Sequence, residues 1–391
     1  FIPVTSTSLT RCVRQAQTMP PASQPSRWPA RLLALMLGLG LGLVGAEAGL
    51  RFEDHLAGRS SDSWLPHLHR DFSAAMYLPH PYLGMVPRPG FRSKASAGGP
   101  GYRYDLNAFG LRGPETTLEK PAGVRRIVCL GGSTTFCTGA RSNDQTWPAG
   151  VQALLTGSRR LRAPVEVLNA GVPGYSTAES LINLSLRMLD FAPDVVLIYH
   201  APNDMRLAQA EGFRSDYSHG RRPWAIPEAP PIDGWLTRHW RLYARLQARL
   251  AGHPEPYKAP AMQELVFAPD LGARAVPASR EVVAAGQAAY RRNLKSLVAV
   301  ARMGGAQPVL QTFAFVHGMD REEGSDLSAA MDQVNQTIRE VAAELDLPLI
   351  DIAGPLSDRR ELFDDWMHYN PRGCGEHAKL VARGLLESGL L

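Results

Sequence analysis

The stretch "VCLGGSTTFCTGA", residues 128–140, leads from an apolar strand pattern into a small, hydroxyl-rich turn. Such a turn can bind phosphate, form a plain corner between a strand and a helix, or carry a nucleophile. A Walker-type phosphate loop needs GxxxxGK[ST], and no lysine lies near this turn. The dinucleotide pattern GxGxxG is also absent, because Gly131 and Gly132 are followed by Ser-Thr-Thr. A plain corner and a nucleophile therefore remain.

From residue 125 onward, apolar runs alternate with helical patterns. The runs are "RRIVCLGG", "VEVLNAGV", "DVVLIYHA", "QPVLQTFAF" and "LPLIDIA". Continuous apolar runs suit strands that are covered on both faces, and strand-helix alternation favours a parallel, doubly wound sheet. We predict a three-layer α/β/α domain over residues 125–391, with a five-stranded, mostly parallel sheet and an insertion at about 206–279. Chemistry in such sheets lies at the carboxyl ends of the strands.

Polar residues follow several of these runs. Gly174 lies in "NAGVPGYST" after the second run, and Asn203 lies in "HAPND" after the third. Near the end of the chain, "DDWMH" places Asp365 three residues before His368. Each piece alone is weak, but together with the hydroxyl-rich turn they form an ordered set along one edge of the predicted sheet.

This set resembles the blocks of the SGNH/GDSL hydrolase superfamily, over residues 125–386 apart from the insertion. The resemblance implies a flavodoxin-like fold, with Ser133 as nucleophile and Asp365 and His368 as its catalytic partners. It further implies an oxyanion hole formed by the backbone N–H groups of Ser133 and Gly174 and by the Asn203 amide. All four blocks appear in the family's order.

Two positions depart from the family pattern. Gly132 stands where the family usually has Asp before the serine, and the glycine usually found two residues before Asn203 is replaced by the segment His200-Ala201-Pro202. The first change removes a side chain that shapes the turn, and we expect the second to narrow the substrate entrance. Neither change removes a member of the predicted site.

The residues suggest a mechanism that requires no metal ion and no cofactor. Ser133 attacks an ester carbonyl while His368 accepts its proton and later protonates the leaving group. Asp365 fixes the imidazole tautomer, and the three oxyanion donors stabilise the developing charge.

Several alternatives stay open at the level of sequence. Asn203 and Asp204 can form only a capped turn, and Asp364 can replace Asp365 as the partner of His368. We expect His377 to be a surface helix residue. His200 either lines the substrate pocket or simply ends a strand.

We therefore expect a serine esterase that removes O-acyl groups from a cell-envelope glycan, a lipid or a small ester. One alternative is an O-acyltransferase to a sugar hydroxyl, and another is a catalytically inactive envelope or glycan-binding module. Nucleic acid is not expected as a partner, because the net charge is only +5 over 391 residues and no long Lys/Arg run occurs.

The N-terminal region, residues 1–51, has the pattern of an export segment. Arg27 and Arg31 precede the uncharged residues 32–46, and Glu47 follows them. A signal peptide cleaved after Ala46 or Ala48 and a retained membrane anchor both fit, and both export the rest of the chain. Since the first methionine is Met19, residues 1–18 can also lie upstream of the true start.

Two further regions carry predictions. Residues 52–124 are rich in Pro and Gly and predict a small irregular or β-hairpin lobe. The insertion carries Trp224, Trp235 and Trp240, which either contribute to a lid or substrate pocket or belong to a helix packed against the core.

The sequence leaves open whether two of the cysteines form a disulfide. The four cysteines lack CxxC spacing, which argues against a zinc or redox motif. If the loops after Ser133 and His368 meet, Cys137 and Cys374 come within reach of a disulfide; two separate buried thiols are the alternative.

Overall fold

A computed structural model describes residues 28–57, 76–93, 103–210, 212–220, 235–236, 239–250, 280–319 and 328–391. The chain divides into two compact units. The smaller unit consists of residues 1–67 and 229–257, and the larger unit consists of residues 68–228 and 258–391.

The centre of the larger unit is a five-stranded sheet in the order β4-β3-β5-β6-β7. Its strands are β3 (Arg125–Gly131), β4 (Val165–Asn169), β5 (Val195–Tyr199), β6 (Gln307–Gln311) and β7 (Leu349–Ile350). All neighbouring pairs are parallel; Ile127 of β3, for example, aligns with Val167 on one side and Val195 on the other. The five predicted apolar runs form these strands, and the predicted fold class is confirmed.

Helices cover the sheet. They are α2 (Ser133–Phe136), α3 (Trp147–Thr156), α4 (Thr177–Asn183), α5 (Pro202–Ala208), α7 (Arg280–Met303), α8 (Ser328–Glu344), α9 (Ala353–Leu356) and α10 (Pro371–Glu387). Helix α10 packs against α3, while α7 packs against α4, α5 and α8. The apolar stripe of α7 is buried from Tyr290 to Ala301, so the amphipathic pattern positions this helix as expected.

A short hairpin precedes the sheet in the chain. Strands β1 (Tyr77–His80) and β2 (Gly84–Pro87) pair antiparallel, and isolated bridges follow between Arg92 and Asp105 and between Leu106 and Arg112. This lobe belongs to the larger unit. Its buried residues Leu83 and Met85 pack with Val172 and Tyr175, which follow β4.

The described residues of the smaller unit include the helices α1 (Trp28–Leu56) and α6 (Arg241–Leu250). Among the described residues, α1 alone is long and apolar enough to cross a membrane, with a mean hydropathy of 1.8 over its most apolar 18-residue window. Helix α6 lies in the predicted insertion.

The structure decides between the two cysteine alternatives and contradicts one expectation, a surface position for His377. Cys137 and Cys374 are two buried, free thiols and not a disulfide. They lie side by side, and a hydrogen bond with Cys137 together with burial raises the pKa of Cys374. His377 is fully buried rather than exposed, because it stacks on Trp147 at 4.5 Å between ring centroids. Burial lowers the pKa of His377 to about 3.

Candidate active site

Ser133 lies directly after the carboxyl end of β3, as the first residue of the one-turn helix α2. The last residue of β3, Gly131, must be a glycine, because a Cβ at this position would lie 1.9 Å from the Thr135 hydroxyl oxygen. The turn ends at Cys137, which has a left-handed φ of 63°. This tight geometry presents the Ser133 hydroxyl at the edge of the sheet.

Ser133, His368 and Asp365 form one chain of hydrogen bonds. Ser133 Oγ lies 2.7 Å from His368 Nε2, and His368 Nδ1 lies 2.5 Å from Asp365 Oδ2. A carboxylate that accepts from Nδ1–H leaves Nε2 free to accept the serine proton. The structure thus brings together residues that are 235 positions apart in the sequence.

Backbone groups hold Asp365 in place. Its Oδ1 accepts the N–H groups of Met367 at 2.8 Å and His368 at 2.7 Å. Burial would raise the pKa of Asp365, but its hydrogen bonds and the charge of His368 outweigh burial and lower the pKa. Asp365 is therefore ionised at neutral pH and able to stabilise an imidazolium.

Asp364, the alternative partner, is placed differently. Its backbone N–H donates to the His368 carbonyl at 2.8 Å, while the His368 ring bonds Asp365. Burial and the neighbouring charge of Asp365 raise the pKa of Asp364. The geometry thus favours Asp365 as the residue that orients His368.

Asn203 and Gly174 approach the same edge from the neighbouring loops. Asn203 Nδ2 donates to the Tyr175 carbonyl at 2.8 Å, and Gly174, one residue earlier, has a φ of 85° that glycine tolerates. A Cβ on Gly132 would lie 2.8 Å from Asn203 Nδ2 and 3.2 Å from the Tyr175 oxygen. The departure at Gly132 thus has a physical reason, since a side chain there would push the Asn203 amide away.

Asp204, expected from the sequence only as part of a capped turn, supports this side of the site. Its fully buried carboxyl accepts the Thr177 N–H at 3.2 and 3.1 Å and also bonds the Thr177 hydroxyl. Burial raises the pKa of Asp204 to about 7. Because Thr177 begins α4 two residues after Tyr175, Asp204 links α5 to the loop that bonds Asn203.

Arg112 supports the Ser133 side of the site and was missed at the level of sequence. Its guanidinium, almost fully buried, donates to four backbone carbonyls from the end of α2 onward. The acceptors are Phe136 at 2.9 Å, Cys137 at 2.6 Å, Ala140 at 3.0 Å and Ser142 at 3.3 Å. The cation also lies over the Tyr104 and Phe136 rings, 4.6 and 4.9 Å from their centroids. The small lobe thereby fixes the loop that carries Ser133.

A narrow cavity of about 10 Å³ lies beside Ser133. Its walls include Gly132, Ser133, Thr134, Tyr199, His200, Ala201, Pro202, Asn203, Phe313 and Met367. The substituted segment before Asn203 therefore forms part of the wall.

His200 contributes to this wall without directing a charged ring at Ser133. Its Nε2 lies 2.7 Å from the Ser180 hydroxyl, and burial lowers the pKa of His200 to about 4. Trp235 belongs to the smaller unit and is 55% exposed, so its role in a substrate pocket stays a prediction. Trp224 lies outside the described residues. Within the described part of the chain, no three His, Cys, Asp or Glu side chains form a metal-ligand group.

The doubly wound sheet and the Ser-His-Asp geometry at its edge define an acylhydrolase of the serine type. Residues 129–374 match the model of the GDSL-like lipase/acylhydrolase family, and the chain belongs to this family. It is a serine ester hydrolase by class. The comparison with curated proteins found no match.

Solved structures show distant likeness. Axe2, an acetylxylan esterase from Geobacillus stearothermophilus, is 15% identical, with 67% of this chain and 93% of that chain covered and a TM-score of 0.39. A GDSL-like lipase from Bacteroides thetaiotaomicron is 11% identical, covering 68% and 89%, with a TM-score of 0.38. LAE5, an alpha/beta hydrolase from the metagenome of Lake Arreo, is 16% identical, covering 68% and 94%, with a TM-score of 0.39.

Proposed function

We propose that this protein removes short O-acyl groups, such as acetyl, from a glycan of the cell envelope through an acyl-enzyme on Ser133. The observation that carries the proposal is the continuous hydrogen-bonded chain from Ser133 through His368 to Asp365. Family membership gives the reaction class, and the geometry supports the roles that we propose for individual residues.

Acylation begins with attack of Ser133 Oγ on the ester carbonyl carbon. His368 Nε2 takes the serine proton as the new C–O bond forms, and Asp365 stabilises the resulting imidazolium. The tetrahedral intermediate then expels the alcohol, which receives the proton from His368. Water attacks the acyl-serine in the second half by the same proton route and releases the acid.

The oxyanion is stabilised by the N–H groups of Ser133 and Gly174 and by the Asn203 amide. In support of this role, Asn203 Nδ2 lies 2.8 Å from the position that a Cβ on Gly132 would take, beside Ser133, while it donates to the Tyr175 carbonyl. Such fixed donors are worth about 2.7–4 kcal/mol each in transition-state stabilisation.

The size of the cavity supports a short acyl group. At about 10 Å³, the space beside Ser133 is close to the room that one water molecule needs. Even an acetyl group therefore requires the wall formed by His200, Ala201 and Pro202 to move outward, and longer acyl chains require a larger movement. The apolar helix α1 supports export to the cell envelope, where acylated glycans are accessible.

A series of p-nitrophenyl esters tests the proposal. We expect kcat/KM to be highest for the acetate and to fall by at least about tenfold for the octanoate, since longer chains lose their place beside Ser133. Ser133→Ala measured in parallel corrects for background hydrolysis. Activity that rises with chain length contradicts the short-acyl proposal. Acyl products on added sugars in place of free acid would identify a transferase.

A further inference from the structure

The smaller unit is held together by ion pairs between the polar end of α1 and helix α6. Asp54, which is 2% exposed, lies 3.0 Å from Arg241 and 2.9 Å from Arg245, and Glu53 also pairs with Arg245 at 2.9 Å. Glu47 accepts the first N–H groups of α6, those of Arg241 at 2.9 Å and Leu242 at 3.0 Å.

These contacts use one face of α1. Glu47, Leu50 and Asp54 are the residues of α1 with reduced exposure, and their spacing of three and four places them on one side of a helix. Residues 28–46, by contrast, are exposed along their whole length. Helix α6 therefore covers only the polar end of α1.

The polar end begins where the apolar segment reaches membrane length. Residues 28–46 extend about 28 Å at about 1.5 Å per residue, close to the ~30 Å hydrocarbon core of a bilayer. The one charge in this segment, Arg31, lies near its start, where a long side chain can reach the headgroups. Glu47, and with it the N-terminus of α6, thus falls at the surface of the membrane that α1 would cross.

Helix α6 has an apolar side that faces away from these ion pairs. Arg241, Arg245 and the fully buried Ala244 lie on one side. Leu246 and Leu250 lie on the other, and they are 53% and 80% exposed. Just before the helix, Trp235 and Trp240 are about half exposed. An amphipathic helix with tryptophans beside it is typical of membrane-water interfaces.

We propose that α6 lies in the outer surface of the lipid bilayer that α1 crosses, with Leu246 and Leu250 among the acyl chains, and that α1 is retained as an anchor. Cleavage after Ala48 would remove the Glu47 carboxylate from the start of α6, and cleavage after Ala46 would turn Glu47 into a free terminus. The inference rests on the proposal that α1 crosses a membrane and does not depend on the esterase mechanism.

Spin labels on the full chain in phosphatidylcholine/phosphatidylglycerol vesicles test the orientation of α6. Leu246→Cys carries the label, and Gln247→Cys, about 100° round the helix, is the matched control. The unsubstituted chain gives the background from native cysteines. We expect the label at 246 to collide several-fold more with oxygen, and less with a water-soluble nickel chelate, than the label at 247.

Equal access of the nickel chelate to both labels would overturn the proposal. Spin-spin broadening at 246 that grows with the protein-to-lipid ratio would also overturn it, because a second copy would then cover the Leu246 face. Ester hydrolysis in the same samples reports whether the larger unit is folded. The proposed lipid contact can therefore be disproved while the esterase proposal stands. Equally, the esterase proposal can be disproved while the lipid contact stands.

A second pair of measurements addresses the anchor and its link to α6. After carbonate extraction, we expect the chain in the membrane fraction with a mass that includes the residues before Glu47; a soluble product beginning near residue 47 would overturn retention. Asp54→Arg should lower the oxygen access of the label at 246, and adding Arg245→Asp should restore it. If Asp54→Arg left the oxygen access of the label at 246 unchanged, the ion pairs with α1 would not be what holds α6 in place.

Discussion

The two sides of the active site are built in different ways. On the nucleophile side, His368 and Asp365 lie in a loop. The His368 side chain is 19% exposed and the Asp365 side chain is 33% exposed. On the oxyanion side, Asn203 is followed by Asp204, whose carboxyl is fully buried and bonded to the start of α4. The comparison shows that reacting groups can lie near the surface and still be held accurately, provided that buried polar groups beside them fix the backbone.

The largest effect is expected on the nucleophile side. Asp365→Asn removes the charge that holds His368 in the required tautomer, and we expect kcat for p-nitrophenyl acetate to fall by about 10⁴-fold. Asp364→Asn is the matched control and should change kcat by less than about tenfold, since its carboxyl does not bond the imidazole ring. Equal losses of kcat in the two variants would show that the substitutions act by disturbing the loop and not by removing the Asp365 charge.

The oxyanion side should give a smaller loss. Asn203→Ala removes one of three donors, so we expect kcat to fall by about 10²- to 10³-fold with KM little changed. Gly132→Ala tests the position of the same amide, because the new methyl group would displace Asn203 Nδ2 while leaving all three donors present. We expect a loss of up to about 10²-fold. Full activity of both variants would contradict the assigned oxyanion hole.

The sequence allowed prediction of what is encoded locally. Continuous apolar runs identified all five strands. The spacing of Ser176 and Glu179 is that of a capping box, and the structure has this capping box at the start of α4. The candidate residues could be chosen because each lies next to a strand end or the last helix. Arg112 could not be found in this way, since its role depends on carbonyls that are brought near only by tertiary packing. Asp204 does lie beside a strand end, but its bonds to Thr177 could not be foreseen, because tertiary packing brings the two residues together. His377 was assigned to the surface because its helix pattern did not reveal the aromatic rings that enclose it.

The support of the nucleophile side can be tested through stability. Arg112→Met leaves buried carbonyls without their donor, and we expect the free energy of unfolding to fall by about 3 kcal/mol. Arg92→Met is the control, because Arg92 is half exposed and pairs with an exposed Glu115, which predicts a loss below about 1 kcal/mol. Chemical denaturation of both variants measures the difference. Similar losses would show that Arg112 has no special part in holding the loop.

Asp204, which supports the oxyanion side, should make the stability of the fold depend on pH. Because the pKa of Asp204 is raised to about 7, the folded chain keeps this proton between about pH 4 and 7 while the unfolded chain releases it. This group therefore lowers stability as pH rises, by about 1.4 kcal/mol per pH unit in that window. Asp204→Asn removes the effect, so its stability relative to wild type should improve from pH 5 to pH 7. Parallel stability curves would contradict the burial of an ionisable Asp204.

The central claim is that Ser133 is a nucleophile activated by His368. The most direct measurement is the mass of the intact chain after reaction with a fluorophosphonate, followed by mapping of the labelled peptide. We expect one adduct on Ser133 in the wild type, none in Ser133→Ala, and much slower labelling of His368→Ala. An adduct on another residue, or equal labelling of wild type and Ser133→Ala, would contradict it.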